Sequence, residues 1–201
     1  MNATDFVDVE PEVLYFGTPV AVVSTLNPDG TTNLAGMSSF WALADRFVLG
    51  IGSAGQTAAN LLRHSECVLN FPSPDEWRAV ERLAPTTGRA DLTDYHRQGG
   101  ITHVSDKFAA SGFTPLKSDL VAPLRAAQCP VQIEARLVAH HRAHEQPGLI
   151  MFEVRRLKVH AHRSIVQAGR IDIDAWSPLF YVFRHYFGKG ARLGRSYRAK
   201  Y

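Results

Sequence analysis

The chain has 201 residues, 45% of them hydrophobic, and a formal net charge of +3 at pH 7. This length and apolar content favour one domain, spanning residues 1–201, over two domains. No apolar run approaches the roughly 20 residues that a membrane helix needs, and residues 1–10 are acidic where a signal peptide would be basic and then apolar. We therefore expect a soluble, unexported, cytoplasmic protein without a membrane partner.

The first predicted unit is a β-hairpin. Val20 to Leu26 is a short run of β-branched and apolar residues, and the Asn27-Pro28-Asp29-Gly30 sequence that follows is typical of a turn. Extended composition resumes at Thr31, so the two strands are expected to pair.

A third strand is predicted from Phe47 to Ile51, followed by the loop Gly52-Ser53-Ala54-Gly55 and a short helix. The helix is expected to start at Gln56 or Thr57 and to run to Arg63. The backbone N–H groups, hydroxyls and helix dipole of such a turn can hold a phosphate, although many Gly/Ser turns hold no ligand.

A fourth strand is predicted from Glu66 to Phe71. Pro72-Ser73-Pro74-Asp75-Glu76 then places prolines and acids where a helix through Leu83 would begin. That helix would carry Trp77, Val80 and Leu83 on one face.

Residues 84–100 are rich in Pro, Thr, Gly and Asp and show no sustained period. This composition predicts an irregular excursion that acts as a lid or as a dimer contact. The excursion lies within a middle insertion of about residues 75–120, and a basic, aromatic C-terminal extension covers about residues 164–201.

A long β-hairpin is predicted in the second half of the chain. Apolar and polar residues alternate from Val131 to His140, and Gln146-Pro147-Gly148 marks a turn before the next strand. In that strand the apolar positions change parity after Val154, which predicts a β-bulge near Arg155 and Arg156. Short strands joined mostly by hairpins predict a mainly β fold, a small antiparallel barrel with peripheral helices.

The stretch from Asn33 to Trp41 contains more small and hydroxyl residues than a core strand needs. Gly36 would let a flat ligand approach the backbone closely, and Ser38 and Ser39 offer hydrogen-bond donors and acceptors. The sequence therefore predicts a binding surface along this strand.

The order of these features resembles a known family. A hairpin is followed by an Asn-x-x-x-x-Ser-Ser-Phe strand (Asn33 to Phe40), an apolar strand, a Gly/Ser turn with Gln-Thr-x-x-Asn-Leu (Gln56 to Leu61), and Cys-Val-Leu-Asn (Cys67 to Asn70). This succession, from about Pro19 to Asn70, resembles the flavin reductase family, the FMN-binding split barrels.

A fainter similarity runs from Ala122 to Val131, where Gln128 replaces the acid of the family's Glu-Cys-x-Val strand. The resemblance covers somewhat over half of the chain. It implies an antiparallel, Greek-key-like split β-barrel that forms a homodimer, with the flavin in a groove near the subunit interface.

Carried over by motif position, the resemblance assigns cofactor binding to Met37, Ser38, Ser39, Phe40, Ser53, Gln56, Thr57, Asn60 and Asn70. The first four would lie along the isoalloxazine ring and the ribityl chain, and Ser53, Gln56 and Thr57 would hold the phosphate. Capping or turn bonding explains Asn60 and Asn70 about as well.

The resemblance implies an NAD(P)H-dependent flavin reductase that uses FMN, with FAD as the alternative flavin and NADH or NADPH as the reductant. The expected chemistry is hydride transfer from the nicotinamide C4 atom to the flavin N5 atom, for which no catalytic side chain is required. Reduced flavin would serve a separate flavin-dependent oxygenase or another acceptor. The aromatic, basic C-terminus departs from the family pattern and places Arg184, His185 and Tyr186 on the substrate or nicotinamide side.

Two further functions stay open. The same fold could bind FMN and act on its own organic substrate, or only bind the flavin. Six Lys or Arg residues and no acid lie between Arg184 and Tyr201, so the residues before them carry a net charge of −3. This tail could bind single-stranded nucleic acid by charge and stacking, but a solvated arm that wraps the partner subunit is the simpler interpretation.

The histidines and cysteines give little indication of a metal. The histidines at 140, 141, 144, 160 and 162 could converge across a hairpin, but histidines are common on hairpin surfaces and we predict no metal site. Cys67 and Cys129 each lie in apolar, strand-like sequence and are predicted to be buried free thiols.

Overall fold

One seven-stranded antiparallel sheet organises residues 5–196, the part of the chain that this computed structural model describes. The strands are β1 (Phe16–Pro19), β2 (Ala21–Leu26), β3 (Thr32–Met37), β4 (Phe40–Leu43), β5 (Arg46–Gly52), β6 (Glu66–Phe71), β7 (Thr86–Thr87), β8 (Thr102–His103), β9 (Pro115–Leu116), β10 (Arg125–Ala126), β11 (Val131–Ala143), β12 (Gln146–Ala161), β13 (Val166–Gln167), β14 (Arg170–Ile171), β15 (Phe180–Val182) and β16 (His185–Phe187). The helices are α1 (Gln56–His64), α2 (Trp77–Leu83), α3 (Asp94–Gln98) and α4 (Lys107–Ser111), with 3₁₀ turns at Pro74–Glu76 and Arg163–Ile165. None of these helices is long and apolar enough to cross a membrane.

The large sheet has the strand order β3-β2-β6-β11-β12-β5-β4. Its two edge strands, β3 and β4, are neighbours in the sequence, and only Ser38 and Ser39 separate them. The sheet therefore has to curl until its edges come close. This curled half-barrel confirms the predicted mainly β, antiparallel split-barrel fold.

The first predicted hairpin is confirmed, because β2 and β3 pair along their whole length. Its turn is stabilised by Asp29, whose Oδ1 atom accepts a hydrogen bond of 3.0 Å from the Thr31 amide. The predicted strand β5 and helix α1 are also present. Strand β5 extends one residue beyond the predicted limits at both ends, and α1 starts at Gln56 as predicted and ends one residue later, at His64.

The long hairpin of β11 and β12 is present, but its turn was predicted too late in the chain. Ala143 already pairs with Gln146, so the turn lies at residues 144–145 rather than at Gln146-Pro147-Gly148. Residues 147–149 bulge out of the β11 pairing, and Pro147 is therefore not required to donate a backbone hydrogen bond.

The predicted β-bulge in β12 is confirmed within two residues. The pairing passes from Ala135 opposite Arg156 to Glu134 opposite Lys158, which leaves Leu157 without a partner on β11. This extra residue accounts for the change of parity in the apolar pattern.

Helix α2 buries two of the three residues predicted to share one face, and Trp77 is the exception. Ala79, Val80 and Leu83 are buried, whereas Trp77 is 37% exposed. The helix begins at Trp77 itself, and the ring is covered there by the Arg78 guanidinium, whose carbon lies 4.6 Å from the ring centroid.

Residues 84–100 are more regular than predicted. Strand β7 pairs in parallel with β8, and α3 lies between them. Helix α3 starts at a capping box formed by Thr93 and His96. Glu or Gln is usual at the position of His96, which is why the sequence pattern did not reveal this helix.

Two cores cover the two faces of the sheet. The inner core contains residues of β2, β5, β6, β11 and β12, among them Val23, Leu49 and Phe152. On the other face, α2 and α4 pack their apolar side chains against β2 and β3. Cys67 and Cys129 are buried free thiols, one in each core, as predicted. Burial raises the pKa of the Cys67 thiol to about 12 and also raises that of Cys129, so both stay protonated.

A buried carboxylate anchors the loop that precedes β10. Glu134 is fully buried and accepts hydrogen bonds from the amides of Asp119 at 2.9 Å and Leu120 at 2.5 Å. Its Oε1 atom also lies 2.6 Å from His160 Nε2. Burial raises the pKa of this carboxyl, but the hydrogen bonds outweigh burial and hold the pKa below its usual value.

We expect Glu134→Gln to lower the free energy of unfolding by about 1–3 kcal/mol, because the loop amides of Asp119 and Leu120 lose their charged acceptor. Since the folded-state pKa is lowered, this contribution is present above the usual glutamate pKa of about 4.3 and is lost as pH falls through the folded-state value. Urea unfolding at neutral and acid pH measures both effects. The exposed Glu145→Gln is the control, and equal losses in the two variants would contradict the anchoring role.

Candidate functional site

A cavity of about 530 Å³, which we call the first cavity, lies where three parts of the chain meet. Strand β3 contributes Asn33, Leu34 and Ala35, and the strand-to-helix turn contributes residues 52–57. Ile51 and Gly148 also line it. The middle segment, by which we mean residues 84–107, supplies the rest of the wall: Thr86, Thr87, Gly88, Tyr95, His96, Ile101 and Lys107. The predicted phosphate-binding residues Ser53, Gln56 and Thr57 are thus brought together in this cavity.

The turn presents the start of α1 to the first cavity. Gly55 is the N-cap residue, with φ −78° and ψ 154°, and no side chain satisfies the N–H groups of the first helical turn. The first helical turn of α1 also contains no acidic residue. The partial positive charge of a helix N-terminus attracts anions, and phosphate is bound in this way in many nucleotide sites.

Thr57 is oriented by Asn33 from the neighbouring strand. The Asn33 side-chain amide donates a hydrogen bond of 3.1 Å to Thr57 Oγ1, and both side chains are buried. Because the oxygen accepts this bond, the hydroxyl proton stays available for a group in the first cavity.

Lys107 is the most unusual residue of the first cavity. It is 1% exposed, its ammonium group donates a hydrogen bond to Thr86 Oγ1, and no carboxylate among residues 5–196 forms an ion pair with it. Burial lowers the pKa of this ammonium group to about 8, so it is still mostly protonated at neutral pH. A buried cation without a counter-ion is costly, and an anionic ligand in the cavity would supply the missing charge.

Sequence reasoning missed Lys107, although the sequence contained a signal for it. Asp106 is the N-cap of α4 and accepts a hydrogen bond of 2.9 Å from the Ala109 amide, which places Lys107 at the first helical position. A cation is unfavourable at a helix N-terminus. A lysine directly after an N-cap aspartate therefore indicates a purpose other than helix stability.

The middle segment is held against the turn, so it forms a wall of the cavity. A Cβ atom added to Gly88 would lie 2.6 Å from Asn33 Oδ1 and 3.0 Å from Gln56 Cγ, which shows how closely the backbone approaches both residues. Arg89 reaches the Ala54 carbonyl at 3.4 Å and also pairs with Asp91.

A second cavity of about 380 Å³ lies further along the same strand, next to Gly36 and Met37. Ser38 and Ser39 also line it, and so do Tyr15, Tyr181, Arg184 and Tyr186. The C-terminal strands β15 and β16 thus cover the connection between β3 and β4. The predicted group Met37, Ser38 and Ser39 is brought together here with the predicted Arg184 and Tyr186.

Hydrogen bonds fix the walls of the second cavity. The hydroxyls of Tyr15 and Ser39 are 3.0 Å apart, and Tyr186 donates to Glu81 at 2.9 Å. Burial and the Glu81 carboxylate raise the pKa of Tyr186, which stays neutral. Gly36 faces α2, because a Cβ atom there would meet Val80 at 3.1 Å.

Four predicted site residues line neither cavity. Phe40 packs edge-on against Phe71 with ring centroids 5.8 Å apart, in contact with the inner core. His185 is exposed, and its Nδ1 atom lies 2.9 Å from the carbonyl oxygen of Phe183.

The other two are the asparagines, which serve as internal connectors. Asn60 donates to Thr25 at 3.1 Å and to Asn27 at 2.9 Å, and so links α1 to the first hairpin. Asn70 donates to the Val22 carbonyl at 2.8 Å and accepts from the Ala126 amide at 2.8 Å. The bond from Asn60 to Asn27 joins the helix to the turn of the first hairpin, and the bonds of Asn70 connect strands, which neither capping nor turn bonding had predicted.

The histidines considered for a metal do not gather with one another in the described part of the chain. Only His160 belongs to a group of closely spaced ligand atoms, within 4.8 Å of those of Asp119 and Glu134. Internal partners occupy this group, because Glu134 binds His160 and two amides, and Lys158 pairs with Asp119.

The basic tail is partly paired. Arg184 forms an ion pair with Glu12 and Arg192 with Asp174, while Lys189 donates to the Ile173 carbonyl. Arg195 is exposed, and four further tail residues that suggested nucleic-acid binding lie outside the described residues: Tyr197, Arg198, Lys200 and Tyr201.

These features define the class of the protein: a split barrel with a cavity at the junction of β3, the turn and the middle segment, bordered by a buried lysine and by the start of α1. The family model of the flavin reductase like domain matches residues 13–190. The chain therefore belongs to the flavin reductase-like family, and a flavin-related oxidoreductase is the function class that this membership supports.

The chain is 42% identical over 197 residues to the uncharacterized protein YdfE of Bacillus subtilis (strain 168), a match that covers 97% of this chain and 95% of that protein. The solved structure of flavoredoxin from Desulfovibrio vulgaris (Miyazaki F) superposes with a TM-score of 0.78 at 20% identity, covering 96% of this chain and 98% of the other. Nitrilotriacetate monooxygenase component B from Bacillus cereus superposes with a TM-score of 0.73 at 16% identity, covering 97% of each chain. Both structures support the split-barrel fold.

Proposed function

We propose that the chain is an FMN-binding, NAD(P)H-dependent flavin reductase. The observation that carries the proposal is Lys107, a buried cation without an ion-pair partner among residues 5–196, at the same cavity as the uncapped start of α1. The phosphate of FMN would neutralise both positive charges, whereas riboflavin has no such group. Membership in the flavin reductase-like family supports a flavin as the rest of the ligand.

The residues of the two cavities fit the two ends of this ligand. In the first cavity the phosphate would be held by Ser53, Gln56, Thr57 and Lys107. The ring and the ribityl chain would follow β3 toward Met37, Ser38 and Ser39 in the second cavity, with Arg184 and Tyr186 on the substrate side.

When bound, FMN would supply two-electron redox chemistry, with NADH or NADPH as the reductant. The chain's own residues bind and orient, and none is assigned a role as acid or base. The Tyr15 hydroxyl fixes Ser39. The Arg184 guanidinium, which pairs with Glu12, lines the cavity where negative charge would grow on reduction and offers further N–H donors there.

Reduced flavin would pass to a separate flavin-dependent oxygenase. This step of the proposal is supported by the Bacillus cereus structure, which shares the fold and is by its name one component of a monooxygenase. FAD is the alternative flavin, and use of bound flavin on the chain's own organic substrate is the alternative role.

The visible absorption spectrum of the protein with FMN, recorded anaerobically before and after NADH or NADPH, tests this function. Bound flavin that bleaches with either nucleotide is the expected result. Bound flavin that stays oxidised would instead favour a flavoprotein with its own substrate, and flavin that does not bind would contradict the proposal.

Thr57→Val is expected to weaken FMN binding by about 1–3 kcal/mol, because the variant keeps the shape of the side chain and loses the hydroxyl donor to a charged group. Riboflavin binding should stay unchanged. Fluorescence titration with both flavins measures the difference, and Thr31→Val in the exposed first turn is the control. Equal weakening for the two flavins would remove Thr57 from the phosphate site.

We also propose that the protein is a homodimer. Phe16 in β1, Phe183 in the turn between β15 and β16, and Phe187 in β16 are 73%, 41% and 52% exposed. A second copy would cover this apolar surface, which adjoins the second cavity. Light scattering should give twice the chain mass of 22.2 kDa, and a monomer would contradict the dimer.

A further inference from the structure

The capping box of α3 uses an unusual residue. Thr93 accepts a hydrogen bond of 3.5 Å from the His96 amide, and the Thr93 amide donates one of 3.2 Å to His96 Nδ1. Glu or Gln normally makes the second bond. Either would complete the box, so helix formation alone does not require an imidazole here.

The hydrogen bond to Nδ1 determines where the imidazole carries its proton. Nδ1 lies 3.2 Å from the Thr93 amide, which can only donate, and 3.0 Å from the Thr93 hydroxyl, which can donate or accept. With Nδ1 accepting from the amide, the neutral ring carries its proton on Nε2. A glutamate in this position would complete the same box but present only acceptors. The histidine completes it and keeps one N–H donor.

The His96 ring borders the first cavity. His96 is 3% exposed and lines the cavity together with Lys107, Thr57 and the residues of the turn. No residue in the described range 5–196 forms a hydrogen bond with Nε2. The ring is fixed by the box and by edge-on packing against Tyr95, with centroids 5.7 Å apart.

We propose that His96 is a specificity-determining residue that donates its Nε2 proton to the phosphate of a phosphorylated flavin. The inference rests on the proposed function and adds a donor from the middle segment to those of the turn. Lys107 supplies the charge, and His96 supplies a directed hydrogen bond from a ring that cannot turn away without breaking the cap. The middle segment would thereby select FMN over riboflavin.

Two variants that both preserve the capping box distinguish the role of His96 as a hydrogen-bond donor from its role in capping α3. His96→Gln keeps an acceptor for the Thr93 amide and an N–H₂ donor, whereas His96→Glu keeps the acceptor and removes the donor. FMN and riboflavin affinities are measured by fluorescence titration, and thermal unfolding of the apoproteins reports on the cap. His103→Glu, on exposed β8, controls for added negative charge.

The His96→Glu variant is expected to bind FMN roughly tenfold or more weakly, with riboflavin affinity within about twofold and His96→Gln within about threefold of the wild type. Unchanged FMN binding in His96→Glu would overturn the proposal. So would equal losses for both flavins, or equal losses in the two variants, because these would indicate a purely structural role. Failure of the wild type to bind any flavin would instead overturn the proposed function.

Nuclear magnetic resonance of the histidine side chains gives a second, independent test. In the wild-type apoprotein the His96 ring should show the Nε2–H tautomer, and its Nε2 resonance should shift on addition of FMN but not of riboflavin. An Nδ1–H tautomer, or the same shift with both flavins, would contradict the role in phosphate recognition.

Discussion

Replacing Lys107 with methionine is expected to weaken FMN binding by roughly 10- to 150-fold while leaving riboflavin affinity within about twofold. Methionine keeps the apolar stem that fills the buried site and removes only the ammonium group. The phosphate would lose its charged partner, and riboflavin has no phosphate to lose. Fluorescence titration with both flavins measures the two affinities, with the exposed Lys117→Met as the control.

The same variant should raise the stability of the apoprotein. Since burial lowers the folded-state pKa of Lys107 to about 8, the protonated ammonium group opposes folding at neutral pH. Methionine removes this cost, and so its apoprotein should unfold at a higher temperature. A variant that loses FMN affinity and also loses stability would indicate a structural role for Lys107 rather than ligand binding.

Lys107 also predicts a pH dependence for the wild type. FMN affinity should fall as pH rises through about 8, because the free protein then loses the charge that binds the phosphate. Riboflavin affinity should stay flat over this range, and Lys107→Met should remove the dependence. A pH-independent FMN affinity up to about pH 9.5 would contradict the assignment.

Replacing Gly88 with alanine is the second change with a large expected effect. The new Cβ atom would lie 2.6 Å from Asn33 Oδ1, and Asn33 is fixed by its bond to Thr57. Either Asn33 must rotate or the middle segment must move away from the turn. We expect roughly ten- to hundredfold weaker FMN binding, since forcing atoms into a packed site costs about 1–3 kcal/mol.

Gly190→Ala is the matched control, because a Cβ atom there would meet nothing within 4 Å. Hydrogen exchange of the amides of residues 84–104 would show whether the middle segment loosens in the Gly88 variant. Normal FMN binding by Gly88→Ala would show that the close approach of the backbone is not needed for the site.

Elements with strong local signals could be predicted from the sequence, and the clearest are in the sheet. The turn residues Asn27 to Gly30 placed the first hairpin, and the parity change after Val154 placed a bulge that is centred on Leu157. The turn of the long hairpin was misplaced because Pro147 and Gly148, strong turn formers, lie in a bulge instead.

Only part of the candidate site could be predicted from the sequence. Ser53, Gln56 and Thr57 follow from the local chemistry of a strand-to-helix turn. Lys107 and His96 come from a distant segment, and only the packing of that segment against the turn brings them to the same cavity. Asn60 and Asn70 matched the motif, but the structure shows them bonded to neighbouring strands and loops.

A phosphate-selective flavin site is the feature on which the proposed function rests most directly. Fluorescence titration of the wild-type protein with FMN and riboflavin at neutral pH and low salt tests for such a site in one measurement. We expect FMN to bind at least about tenfold more tightly than riboflavin. Equal affinities, or tighter binding of riboflavin, would contradict a phosphate site built from the turn and Lys107.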